Sequence, residues 1–159
     1  MGRAVRLPGR TGVDCGPGRA RSEAWLSRIL GVFGDLCVEE RRNKSRHASN
    51  EPEFVNEVIR LALAPGTSPR LAIETLTLLA GVEWPTASAI LHFCHVAPYP
   101  ILDFRALWSL STDVPARYAY PFWREYSDFT RGLAERLGVN MRILDRALWK
   151  YSEVHQKSD

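Results

Sequence analysis

Apolar residues recur at helical spacing along this chain from Ser22 onward, and no segment alternates long enough to make a strand. Ser22 suits an N-cap, and Trp25, Ile29, Val32, Phe33 and Leu36 then share one face. Asn50-Glu51-Pro52-Glu53 reads as a second helix start: Asn50 at the N-cap, proline in the first turn, Glu53 three residues on. Phe54, Val55, Val58, Ile59, Leu61 and Leu63 form its apolar face, and Pro65-Gly66 ends it. Ser68-Pro69 opens the next helix by the same logic, with Leu71, Ile73, Leu76, Leu78 and Leu79 as its apolar positions.

The stretch from Leu78 to Leu110 has a distinct character. Leu79-Ala80-Gly81-Val82-Glu83-Trp84-Pro85-Thr86-Ala87 predicts a helix end, a tight turn and a new helix. Gly81 can take the positive φ that a helix C-terminus demands, and Pro85 suits a first turn, where its missing N–H is not needed. Thr86 to Cys94 is an apolar helix. After a Pro- and Tyr-rich turn, Asp103 stands where another short helix begins. Ser111 to Tyr120 reads as a loop. Pro121 to Leu137 is a helix with Phe122, Trp123, Tyr126, Phe129 and Leu133 inward, stopped by Gly138. Asn140 caps a last helix to about His155, in which Leu144, Leu148 and Tyr151 form one buried face. The expectation is an all-α domain of about seven helices around a central helix-hairpin-helix, over residues 22–159.

Composition refines this picture at the N-terminus. Residues 1–21 are rich in Gly, Pro and Arg without periodicity, which predicts a disordered basic tail. Five arginines against Asp14 give that tail +4, so with a total of +3 the rest of the chain carries −1. A body so close to neutral leaves phosphate binding to local patches. Arg41, Arg42, Lys44 and Arg46 are the densest basic group in it; they suit a DNA-facing patch, although such runs more commonly mark a solvated helix end. No apolar run approaches the roughly 18 residues of a membrane span. The N-terminal arginines are followed by no apolar signal region, and Cys15, Cys37 and Cys94 have no metal-type spacing. These features predict a cytoplasmic protein with reduced thiols.

Leu78–Leu110 resembles the helix-hairpin-helix DNA glycosylases of the endonuclease III-like superfamily. The hairpin there reads roughly L-x-G-V-G-x-x-T-A-x-x-I, with a catalytic aspartate at a nearly fixed distance beyond the threonine. Here Thr86 and Asp103 are 17 residues apart, in agreement with that spacing. The resemblance implies that Gly81, Val82, Glu83, Trp84 and Thr86 face a phosphate of double-stranded DNA, with a nucleotide turned out of the stack. It also implies that Asp103 is the carboxylate stabilising charge at the sugar. The function implied is base excision by a monofunctional N-glycosylase. The alternative is a non-catalytic DNA- or protein-binding scaffold on the same fold.

Two residues depart from the family pattern. Glu83 replaces the second hairpin glycine, placing a carboxylate and a Cβ where a phosphate should approach. Pro85 stands where bifunctional members carry the lysine that attacks the sugar, which excludes amine chemistry from this position. The C-terminal region has no cysteines for the iron–sulfur cluster of many relatives, so no cofactor is expected. Asp103 also suits an ordinary helix cap, and the two roles are compatible. Arg105 suits either a phosphate or a carboxylate partner; Trp84 and Tyr99 suit packing more than base stacking. His92 and His95 flank Cys94 without further ligands nearby, so no metal is expected.

Overall fold

A computed structural model describes residues 49–156. Six helices and no strands occur among the described residues: α1 (Pro52–Ala62), α2 (Pro69–Leu76), α3 (Trp84–Cys94), α4 (Phe104–Ser109), α5 (Tyr120–Leu137) and α6 (Met141–His155). The predicted basic tail, the Ser22 helix and the Arg41–Arg46 group lie outside them. No described helix is long and apolar enough to cross a membrane.

The helix starts follow from local chemistry. Ser68 accepts the Leu71 amide at 3.3 Å, Asn140 accepts that of Ile143 at 2.9 Å, and Asp103 accepts that of Arg105 at 3.3 Å. Each satisfies a donor that the first helical turn leaves open. Proline occupies the first turn of α1, α2, α3 and α5. At the far end of α5, Gly138 takes φ +64°, and Val139 N–H reaches back to Ala134 O at 3.0 Å, a Schellman closure. Helix α4 ends in the same way, but with Ser111 at φ +54° and Thr112 N–H on Leu107 O at 2.9 Å.

Helix α3 is the centre of the fold. Ala87, Ser88, Ala89, Ile90 and Leu91 are consecutive and all buried, so no side of its middle turn faces water. That is why this segment is apolar all round rather than striped. α2 packs on α3, α1 packs on α2, and α4 and α5 both pack on α6. The main core joins Ile73, Leu76, Ile90, Leu102, Leu107 and Trp123; a smaller cluster of Ala134, Met141 and Leu144 lies at the α5–α6 turn. Each large core side chain contributes about 1.5–3 kcal/mol by leaving water.

Several expected details are corrected. Asn50 does not cap α1; Glu51 occupies that position without a side-chain bond, and the Asn50 carboxamide is used elsewhere. Helix α2 ends at Leu76 rather than running to Leu79, and the next residues tighten into i→i+3 turns, Leu78 on Thr75 and Leu79 on Leu76. Phe54, Leu61, Leu71, Leu78 and Phe129 are exposed. In α1 only Val58 and Ala62 are fully buried, because a helix docked on one neighbour buries a narrow stripe. In α6 the buried stripe follows Met141, Leu144, Asp145 and Ser152, which carries Tyr151 outward to 51% exposure.

Candidate functional site

The hairpin between α2 and α3 is fixed from outside and from within. The Asn50 carboxamide pairs twice with the backbone of Ala80: Nδ2 donates to its carbonyl at 3.0 Å, and Oδ1 accepts its amide at 2.8 Å. Val82 is 5% exposed and anchors the turn in the core, while its N–H closes on Leu79 O at 3.0 Å. Between them Gly81 takes φ +81°, a conformation costly to a residue with a Cβ. Glu83 is exposed and is the N-cap of α3, yet its side chain makes no capping bond. Trp84 and Thr86 are half-buried on the first turn, with the Trp84 ring 6.5 Å from that of Trp123. Among the described residues no acceptor meets the amides of Gly81 or Glu83. The five hairpin residues singled out from the sequence therefore lie on one turn at the positive end of α3.

Ser88 ties the residue before Asp103 to the first turn of α3. The Ser88 hydroxyl donates to Pro85 O at 2.7 Å, inside the first turns of α3, and accepts the Leu102 amide at 2.8 Å. Leu102 is fully buried, so the residue after it has a fixed origin. Asp103 is half-buried, with Oδ1 on the Arg105 amide. Burial pushes its carboxyl above the ordinary carboxylate value; the Arg105 amide, the Arg105 charge and the Phe104 amide pull it down, and the nearby Asp145 charge pushes it up. The capping role and an electrostatically unsettled carboxylate thus coincide in one side chain.

Arg105 forms no ion pair among the described residues. Its guanidinium lies over the rings of Trp149, 5.3 Å from the centroid, and Phe104, at 5.4 Å. Its role here is packing on α6, with its charge still felt at Asp103. Tyr99 is buried at 3% exposure between Trp123, 5.3 Å away, and the Arg131 guanidinium, 4.4 Å from its centroid. It packs, as the sequence suggested.

Behind the Tyr99–Asp103 segment lies a polar layer that sequence reasoning missed. His92 Nδ1 is 2.9 Å from Asp145 Oδ2 and 2.7 Å from the Tyr99 carbonyl. Both neighbours are acceptors, so Nδ1 carries the proton. Asp145 Oδ2 also accepts the Ile101 amide at 3.4 Å, and the Tyr126 hydroxyl donates to Ile101 O at 2.8 Å. Burial raises the Asp145 carboxyl above its ordinary value, against the opposing bond and charge of His92; burial likewise drives the Tyr126 phenol far above its ordinary value. His95, by contrast, caps the end of α3 and accepts the Ala97 amide on Nδ1 at 2.9 Å. The two histidines therefore serve different bonds. Among the described residues no group of three or more His, Cys, Asp or Glu side chains is placed to hold a metal ion. No pattern in the sequence singles out Asp145: the stripe it shares with Met141, Leu144 and Ser152 is set by how α6 docks, while the apolar period points to Leu144, Leu148 and Tyr151.

No family model, no curated protein and no solved structure matches this chain.

Proposed function

We propose that this chain binds duplex DNA through the Gly81–Thr86 hairpin and releases a damaged base by hydrolysis, with Asp103 as the catalytic carboxylate. The observation that carries this reading is the joint placement of the hairpin and Asp103. One serine ties the segment bearing the aspartate to the helix that the hairpin opens. An anion held at the start of α3 would meet open amides and the positive end of the helix dipole. As the C1′–N bond breaks, the base leaves with the bonding electrons and positive charge develops on the sugar. A half-buried, undercompensated carboxylate gains more from such a cation than a fully solvated one does. Water then adds to C1′ and its proton passes to Asp103. Pro85 offers no amine, so the reaction stops at the abasic site without strand cleavage.

A specific observation favours a second reading, a non-catalytic scaffold: the exposed Glu83 carboxylate stands at the hairpin where a phosphate would bind. Single-turnover base release from duplexes carrying one alkylated, deaminated or oxidised base separates the two. The glycosylase reading expects release of at least one class, lost in Asp103→Asn, and no strand nicking. Duplex binding with no release of any class favours the scaffold.

A further inference from the structure

The segment from Tyr99 to Asp103 has no regular hydrogen bonding of its own, yet it carries the aspartate on which the proposed chemistry depends. Its backbone is held by side chains from three helices. Ser88 of α3 takes the Leu102 amide, Tyr126 of α5 takes the Ile101 carbonyl, and Asp145 of α6 takes the Ile101 amide. His92 of α3 completes the frame by bridging Asp145 and the Tyr99 carbonyl with one N–H. Serine and tyrosine are inexpensive as pegs. A carboxylate is not.

Asp145 has a side chain 9% exposed, and among the described residues its Oδ1 meets no donor. A buried carboxylate with one bare oxygen destabilises the fold, and an amide or hydroxyl at this position would accept the Ile101 N–H at less cost. The charge itself is therefore the feature to explain. Asp145 is bonded to the Ile101 amide, two residues before Asp103, and its charge is the smallest of the influences on the Asp103 carboxyl, of which burial is the largest. The other ionisable groups that face this pair are His92, Tyr126, Tyr118 on the approach to α5, and Arg105 on α4.

We propose that Asp145, oriented by His92, is the positioning residue for Asp103: it fixes the turn that delivers the aspartate and presents a like charge behind it. The proposal rests on the reading of Asp103 as the working carboxylate. Asp145 does not touch the reacting atoms; it acts through the Ile101 amide and through the field at Asp103. A negative charge behind a carboxylate raises its appetite for a cation in front, which is the sense that the chemistry at the sugar requires.

The test compares the full chain with Asp145→Asn and Asp145→Ala in three measurements. Carbon-13 NMR follows the titration of the Asp103 carboxyl; amide exchange follows Ile101 relative to Leu91 in α3; and binding is measured to a duplex with a stable abasic-site analogue. Asn keeps an acceptor and removes the charge, so Ile101 protection should stay within about threefold while the Asp103 midpoint falls. Ala removes both, so relative exchange at Ile101 should rise at least about tenfold. A peg without electrostatic purpose would leave the Asp103 midpoint unmoved in Asp145→Asn, and that result overturns the proposal. So does unchanged Ile101 exchange in Asp145→Ala. Should Asp145→Ala fail to fold, the Asp145→Asn titration decides alone. If the wild-type chain does not prefer the abasic duplex, the reading of Asp103 fails, while the titration and exchange results still decide what Asp145 does.

Discussion

The Ser88 hydroxyl, one turn into the central helix, accepts the Leu102 amide at 2.8 Å and so ties the residue before Asp103 to the helix that the hairpin opens. Both partners are fully buried. Removing the hydroxyl leaves a buried N–H with no replacement, because water does not reach it. Ser88→Ala should cost about 1–3 kcal/mol in urea unfolding, more than an ordinary Ser→Ala change at an exposed site. Ser88→Thr, which keeps the hydroxyl but adds a methyl to a packed position, should also destabilise, through overpacking.

The two left-handed helix ends make opposite predictions. Gly138 sits at φ +64°, and a Cβ there would meet nothing within 4 Å, so Gly138→Ala carries only the backbone cost of about 1 kcal/mol. Ser111 holds the equivalent conformation at φ +54° with a Cβ already present. Ser111→Gly should raise stability by about 0.5–1 kcal/mol, partly offset by the freer unfolded chain. Thermal melts of the two variants read both signs.

Asp103 and Asp145 both have carboxyls raised above the ordinary value of 3.8, burial being the main cause for each. A group raised on folding contributes stability below its unfolded pKa and loses that contribution as pH rises through its folded pKa. Both aspartates therefore work against the fold at neutral pH. Asparagine at 103 keeps the capping oxygen and removes the charge. Asp103→Asn should melt higher than wild type at pH 7, with the difference shrinking as pH falls through the raised folded value of Asp103 and gone below its ordinary value of 3.8. On the proposed reading of Asp103, such a cost fits the usual trade between activity and stability.

Glu83 is exposed and makes no capping bond, so its replacement should leave stability within about 0.5 kcal/mol, apart from the added freedom of glycine. Its effect on DNA should be larger. Glu83→Gly should tighten duplex binding at low salt by about three- to tenfold, and the gain should fade as salt screens the site.

The parts of the fold that were legible in the sequence are those set by nearby residues. Ser68, Asp103, Asn140 and Gly138 mark helix ends through bonds that span a few positions. The largely apolar run of α3 announced a central helix. What could not be read was set by packing between distant segments. Asn50 looks like a helix cap, yet its carboxamide spends itself on Ala80, 30 residues away. Leu61 and Tyr151 follow the helical period but fall beside the narrow stripes that neighbouring helices cover. For the candidate site, hairpin and aspartate were visible as a spacing; the Ser88 tie and the His92–Asp145 layer joining them were not, because a periodic pattern does not show which polar residues meet across helices.

The measurement that tests the central claim most directly is the affinity of the full chain for a duplex with one stable abasic-site analogue, set against the same duplex undamaged, at low salt. Wild type should prefer the abasic duplex, Glu83→Gly should bind both more tightly, and Asp103→Asn should change the preference rather than the binding to undamaged DNA. Equal binding to the two duplexes by all three proteins, or no binding by any, would contradict the account.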